Sequence, residues 1–253
     1  MAAARRILVV GGSGFVGQAV CRSALARGWE VLSLSRHGAP ERPAADQGRL
    51  ASGVQWIKGD ALRPETFREH LAGCDAVVHS VGVLMENGYK GLVNAGAGSG
   101  PSRAAATYEA ANRDTALSVA QLARETAGVG AFAYVSAKDT IPFIDPRYIS
   151  TKREVERELL AHRDRLRPII LRPGFMFSPA RPLTLPVAAG VGAFQVLFDR
   201  TPLGCVLRGT PLEKAASPAL RRELVADAIV AAIDDPQVEG ILEIPDIERL
   251  GAS

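Results

Sequence analysis

Apolar residues in the first half of the chain fall in short, unbroken runs, and each run gives way to helical spacing or to a turn. Ile7-Leu8-Val9-Val10 is the first such run, without the alternation of a half-exposed strand, so it predicts a strand buried on both faces of a parallel sheet. Glu30–Ser35, Val54–Lys58, Asp75–Ser80 and Ala131–Val135 predict four more strands. Between them, Val16, Ala19, Val20 and Leu25 keep helical spacing up to Gly28. A shorter helix is expected near Pro64 to Ala72, and a long one over Tyr108–Ala127, with Ala111, Thr115, Leu117, Val119 and Leu122 on its pattern and Gly128 at its end. Residues 39–53 and the glycine-rich stretch 86–107 have no such pattern, and the second is long enough to predict a functional flap. Strand and helix alternating in this way give right-handed βαβ units, hence an α/β fold with a doubly wound parallel sheet of the Rossmann type. One domain spanning 1–253 is expected, with 178–216 as a small substrate or lid lobe.

The later chain is less periodic. Thr184–Asp199 is apolar with little charge, and predicts a core helix or lid; a face that meets lipid or a polyprenyl tail is the sharper alternative. Pro218–Ile233 reads as an amphipathic closing helix, and Gly240–Ile244 as a last strand. Lys152–Arg167 is dense in both signs of charge and predicts a solvated helix face, with the Lys152 end turned inward.

Composition narrows the chemistry. A chain of 253 residues with 47% hydrophobic and 23% charged residues is globular in type, so a disordered or fibrous class is excluded. A formal charge of +3 is too small to point to nucleic acid; it suits an anionic cofactor or a weak contact with a membrane surface. Cys21, Cys74 and Cys205 are scattered and never form a C-x-x-C pair, which argues against a thiolate metal site and a disulfide framework. No metal is expected. Leu185–Phe198 is too short to span a bilayer, and no secretory signal peptide is expected, since the first strand begins by Arg6.

The first strand runs into Gly11-x-x-Gly14-x-x-Gly17. Gly11 lets the chain turn off the strand, Gly14 leaves room for a pyrophosphate, and Gly17 lets the next helix lie close to the strand. The helix N-terminus at Phe15 and Val16 then offers N–H donors and partial positive charge to an anion. At the end of the second strand stand Ser35 and Arg36, with no carboxylate before Glu41, which favours NADP(H) over NAD(H); a solvated loop arginine is the plainer alternative. Asp60 and Ala61 leave the third strand where a carboxylate could meet an adenine amino group, and Asp60 could equally cap the following helix. Ser80, Val81 and Gly82 bring small residues to the exit of the fourth strand. His79 beside them reads as a structural histidine before a catalytic one.

The fifth strand delivers Ser136, and Tyr148 and Lys152 follow at i and i+4, on one helix face. Carbonyl reduction needs a hydride and a positioned proton donor. A free tyrosine titrates near about 10, and a neighbouring ammonium favours its phenolate form. Tyr148 is thus the expected acid/base, Lys152 its activator and a ribose ligand, and Ser136 the hydroxyl that orients the substrate oxygen.

Glycine triplet, Ser136 and Tyr148-x-x-x-Lys152 together resemble the short-chain dehydrogenase/reductase superfamily, in its extended or atypical branch. That resemblance implies a structural or proton-relay role for Asn112 and places Pro173, in Leu171-Arg172-Pro173-Gly174, near a nicotinamide carboxamide. Residues 77–90 and 148–177 further resemble the mitochondrial short-chain-dehydrogenase-like proteins of fungal coenzyme Q (ubiquinone) biosynthesis, relatives of the Rossmann-type accessory subunit of respiratory complex I. This implies a matrix-side, peripheral place on the inner mitochondrial membrane, a quinone precursor or other carbonyl substrate, and other ubiquinone-biosynthesis proteins as partners. Two functions follow: an NADP(H)-dependent oxidoreductase, or a catalytically silent NADP(H)-binding subunit of a membrane-associated assembly. About eighty residues follow Pro173, too few for the large lobe of a sugar-nucleotide epimerase.

Overall fold

The computed structural model describes residues 5–40, 48–82, 109–138, 145–179, 185–200 and 217–252. The glycine-rich stretch 86–107 lies outside them, as does most of the expected 178–216 lobe. Seven parallel strands form one sheet in the order β3-β2-β1-β4-β5-β6-β9. They are β1 (Arg6–Val10), β2 (Glu30–Ser35), β3 (Val54–Lys58), β4 (Ala76–His79), β5 (Ala131–Val135), β6 (Arg167–Leu171) and β9 (Gly240–Leu242). The order reverses between β1 and β4, and doubly wound sheets bind ligands in the crevice outside the strand carboxyl ends at that point. A separate pair, β7 (Met176–Phe177) and β8 (Leu220–Arg221), stands beyond β6.

The unbroken apolar runs are explained by helices on both faces. On one face Ile7, Val9, Ala133 and Ile169 pack under α1 (Phe15–Ala26) and α7 (Arg222–Asp234), and α8 (Ile244–Gly251) joins the same layer. On the other, Leu8, Val10, Phe132, Tyr134 and Ile170 meet α4 (Thr115–Glu125) and α5 (Pro146–Ala161). Residues 7 to 9 are 0% exposed, as a strand covered on both faces requires.

The structure departs from the expected elements in five places. Gly48–Gly53, expected as loop, is a short helix, α2. The helix expected near Pro64–Ala72 is a 3₁₀ turn, Pro64–Thr66, and then α3 (Arg68–Leu71), separated at Phe67. Tyr108–Ala127, expected as one α-helix, opens on a π turn over Glu109–Asp114 before α4 begins at Thr115. The closing helix starts at Arg222, not Pro218, and is buried from Val225 to Ile233 except Asp227, because α1 and α8 cover it on either side. Finally, β9 stops at Leu242, and Ile244 begins α8, whose N-terminus is fixed by a capping box between Glu243 and Asp246.

The apolar segment at 184–199 is a helix, α6 (Leu185–Arg200), but not a core helix at the positions described: Leu185 and Val196 are 39% and 52% exposed, and Pro186, Ala189, Gly190 and Ala193 face outward with them. No helix among the described residues is long and apolar enough to cross a membrane.

Candidate active site

The glycine turn is built as its spacing demands. Gly11 has φ +85°, and its N–H donates to the carbonyl of Leu34 at 2.8 Å, tying the turn to β2. A Cβ on Gly17 would lie 2.3 Å from the Gly11 carbonyl oxygen, so α1 can approach the turn only without one. Gly14 is the N-cap of α1 and is exposed. A Cβ there would meet only the Gly11 carbonyl oxygen, so the space above the helix N-terminus is clear. This bare cradle, beside Phe15 and Val16 at a helix start, fits a pyrophosphate group. Gly12 was not singled out by the spacing, yet it is equally constrained: a Cβ on it would stand 2.2 Å from Ser33 Oγ.

Across the switch point, β4 ends against the same turn. The N–H and hydroxyl of Ser80 both donate to Val10 O at 2.9 Å, and a Cβ on Gly11 would touch Val81 Cγ2 at 2.9 Å. Further along the sheet edge, the Ser35 hydroxyl donates to Gly38 O at 2.6 Å, and Arg36 is exposed. Asp60 leaves β3 half-buried beside buried Ala61. Its Oδ1 accepts from Leu62 N at 3.0 Å, so it closes the turn after β3; the residue that caps the 3₁₀ segment is Arg63. Pro173 is buried at the exit of β6, and its carbonyl accepts from Lys138 N. The sequence-predicted cofactor residues other than Tyr148 and Lys152 therefore lie at strand carboxyl ends, in the glycine turn or on the first turn of α1.

Tyr148 and Lys152 rise from the first two turns of α5, which starts with Asp145 as N-cap and Pro146 at its first position. Lys152 is buried, and its ammonium donates to Val135 O at 2.7 Å. It lies 4.9 Å from the centroid of the Tyr134 ring and 5.9 Å from that of the Tyr148 ring. Burial pulls its pKa down to about 7, against the upward pull of Glu156. A Cβ on Gly82 would come within 2.9 Å of Asn112 Oδ1 and 3.3 Å of Lys152 Nζ, so Gly82 marks where the exit of β4, the π turn before α4 and helix α5 converge. Asn112 is fully buried in the π turn, and its carbonyl accepts from the Tyr134 hydroxyl at 3.1 Å. Half-buried Tyr148 and buried Lys152 thus share one face of α5, 5.9 Å apart from ring centroid to ammonium.

Ser136 stands at the end of β5, and its hydroxyl proton points inward. It donates to Glu156 Oε1 at 2.5 Å and accepts from Arg153 Nη1 at 3.3 Å. Glu156 is the residue that spacing alone could have found. It continues the series 148, 152, 156 along one helix face, in a run expected to be solvated, and it is buried. His79 is 0% exposed, and neither ring nitrogen has a hydrogen-bond partner among the described residues. Its ring lies against Phe132 and Tyr134, and burial, with Lys152 nearby, lowers its pKa to about 3. A second missed group lies behind the glycine turn. Buried Arg222 donates to Glu223 at 2.7 Å and to Phe15 O at 3.3 Å, and the Ser178 hydroxyl donates to Glu223. The described residues hold no cluster of three potential metal ligands.

A parallel sheet with a glycine turn at its switch point and a Tyr–Lys pair at its carboxyl edge defines a nucleotide-binding protein of the short-chain dehydrogenase type. The chain belongs to the NAD dependent epimerase/dehydratase family, which residues 7–186 match. It is similar to MIOREX complex component 2 of Saccharomyces cerevisiae, 30% identical over 96% of this chain and 98% of that one. It also resembles a 2-alkyl-3-oxoalkanoate reductase of Stenotrophomonas maltophilia, at 27% identity over 98% of this chain and 81% of the other. Among solved structures, Thermus thermophilus UDP-glucose 4-epimerase in complex with NAD shares the fold, with a TM-score of 0.60 at 20% identity over 98% of this chain and 82% of that one.

Proposed function

We propose that the protein is an NADP(H)-dependent oxidoreductase of mitochondrial ubiquinone biosynthesis, acting on a carbonyl or quinoid intermediate at the matrix face of the inner membrane. The observation that carries the redox reading is the placement of Lys152, buried beside the Tyr148 ring at the carboxyl edge of β4 and β5. That edge also holds the glycine turn. When bound, the dinucleotide supplies a hydride to the substrate carbon. The Tyr148 hydroxyl gives its proton to the developing alkoxide oxygen, and Lys152 stabilises the phenolate left behind. The preference for NADP(H) rests on exposed Arg36 at the end of β2, where a 2′-phosphate is expected. The choice of pathway and compartment rests on the resemblance of residues 77–90 and 148–177, and the existence of a yeast relative named as a complex component is in keeping with partner proteins.

A second reading is favoured by one observation. The Ser136 hydroxyl donates its hydrogen bond to Glu156, so the side chain expected to orient a substrate oxygen is engaged elsewhere. A nucleotide-loaded subunit that stabilises an assembly needs no such hydroxyl. The test is complementation of cells lacking the gene with wild type and with Tyr148→Phe, reading ubiquinone content. Wild type restores it and Tyr148→Phe does not if the protein turns over; equal rescue by both supports the silent subunit. Ubiquinone unchanged by loss of the gene would overturn the pathway.

A further inference from the structure

Glu156 is a buried carboxylate on the face of α5 that carries Tyr148 and Lys152, one turn further on. Its two oxygens collect the Ser136 hydroxyl at 2.5 Å, Arg153, and Arg172 through both Nε, at 3.0 Å, and Nη2. Each arginine ties this centre to another strand exit. Arg153 also donates to the carbonyl of Lys138, whose own N–H donates to Pro173 O. Arg172 donates to Glu243 at 3.0 Å, the residue that caps α8. Burial pushes the Glu156 carboxyl up, but the hydrogen bonds from Arg172 and Ser136 outweigh it and hold the group below its ordinary value.

These bonds converge on one peptide unit. Val135 C=O and Ser136 N–H belong to the same planar group. The Ser136 N–H donates to Leu171 O at 2.8 Å, and the Ser136 hydroxyl is held by Glu156. The Val135 carbonyl on the other side of that group is the acceptor for the Lys152 ammonium at 2.7 Å. We propose that Glu156 is the positioning residue of this site: it clamps the Val135–Ser136 peptide through the serine hydroxyl and so fixes the oxygen from which Lys152 is held under Tyr148. Its carboxylate, one helical turn from Lys152 on the same face, also raises that lysine's affinity for a proton against the pull of burial. Among the described residues, the titratable and charged groups around Lys152 are His79 from β4, Tyr134 from β5, and Tyr148, Arg153 and Glu156 from its own helix. Of these Glu156 is the anion.

The inference rests on the dinucleotide reading for its consequence, but its first measurement does not use a dinucleotide. In protein carrying ¹³C-labelled lysine, the Lys152 side-chain resonance is titrated by NMR in wild type, Glu156→Gln and Glu156→Asp. Glu156→Gln lowers the midpoint by about one pH unit, a tenfold change in the protonation constant, and Glu156→Asp returns it most of the way. NADPH binding is then measured on the same proteins. Glu156→Gln weakens it about threefold midway between the two midpoints, approaching tenfold above both, and less than twofold well below both. If Glu156→Gln does not fold, Ser136→Ala frees the same peptide while leaving the charge. It then weakens NADPH binding about fivefold or more at every pH, a loss of about one hydrogen bond. A purely structural role is shown, and the proposal overturned, if these variants only melt earlier, with the Lys152 midpoint and NADPH affinity of wild type. A midpoint that moves in a wild-type background that binds neither NADPH nor NADH upholds the Glu156–Lys152 coupling and removes the dinucleotide reading instead.

Discussion

A Cβ on Gly17 would stand 2.3 Å from the carbonyl oxygen of Gly11, closer than two such atoms ever sit. The first helix and the first turn are therefore in backbone contact, and the contact fixes where the α1 N-terminus points. Gly17→Ala forces them apart. It is expected to cost about 1–3 kcal/mol of stability, and to reduce NADPH affinity more than a surface variant of equal stability does. Thermal unfolding and a fluorescence titration with NADPH check both parts.

The exposed arginine after β2 gives a second expectation. Arg36→Glu puts a carboxylate where a ribose hydroxyl would lie and removes the cation expected to meet a 2′-phosphate. NADPH binding weakens by about tenfold or more, a loss of roughly 1.4 kcal/mol, while NADH binding holds or improves. Parallel titrations with the two nucleotides read the ratio directly. An unchanged ratio would make Arg36 an ordinary solvated residue.

Lys152 links the site to the pH dependence of folding. Its folded pKa is lowered from 10.5 to about 7, so between those values the unfolded chain holds the proton that the folded chain has released. Stability attributable to this residue therefore rises with pH from about 7 toward 10.5, and below 7 the buried ammonium works against folding. Lys152→Met should be more resistant to urea than wild type at pH 6.5 and should lose the rise between pH 7 and 10. Urea unfolding across that range tests it, and equal slopes in the two proteins would refute it.

His79 supplies the acid limb. Burial lowers its pKa from 6.5 to about 3, so between those values the unfolded state binds the extra proton, and stability falls as pH drops through that window. Both nitrogens are buried without partners among the described residues, so His79→Leu is expected to remove two unsatisfied polar atoms at little cost in volume. The variant is expected to match or exceed wild type at pH 7.5 and to gain on it further at pH 5. A variant less stable than wild type at both would mean that the imidazole has a role in the site.

Much of this architecture was legible because its signals are local. The run Ile7–Val10 names a doubly covered strand, Gly11 the turn, Gly28 and Gly128 the helix ends, and the Tyr148/Lys152 spacing a shared helix face. These depend on residues within a few positions of one another. What sequence could not give depends on partners far along the chain. Arg172 reaches Glu156 and Glu243, and Arg222 reaches Phe15 across 207 positions. The same gap explains Ser136. Its place at the strand end follows from the run Ala131–Val135, but the direction of its hydroxyl is set by Glu156 on a helix that the charge pattern painted as solvated. The capping box at Glu243 and Asp246 and the apolar spacing Ile244, Ile247, Leu250 did mark α8 in the sequence, in a segment too short to stand out.

If the turn at Gly11–Gly17 holds the phosphates of a nicotinamide dinucleotide, binding of that dinucleotide must stabilise the fold. Thermal unfolding of the purified protein with NADPH and with NADH tests it most directly. Saturation at about a hundred times the dissociation constant adds roughly 2.7 kcal/mol, which for a chain of this size raises the melting temperature by about 5–10 °C. The account predicts that shift with NADPH, a smaller one with NADH at equal concentration, and neither in Gly17→Ala. A melting temperature indifferent to millimolar amounts of both nucleotides would contradict it.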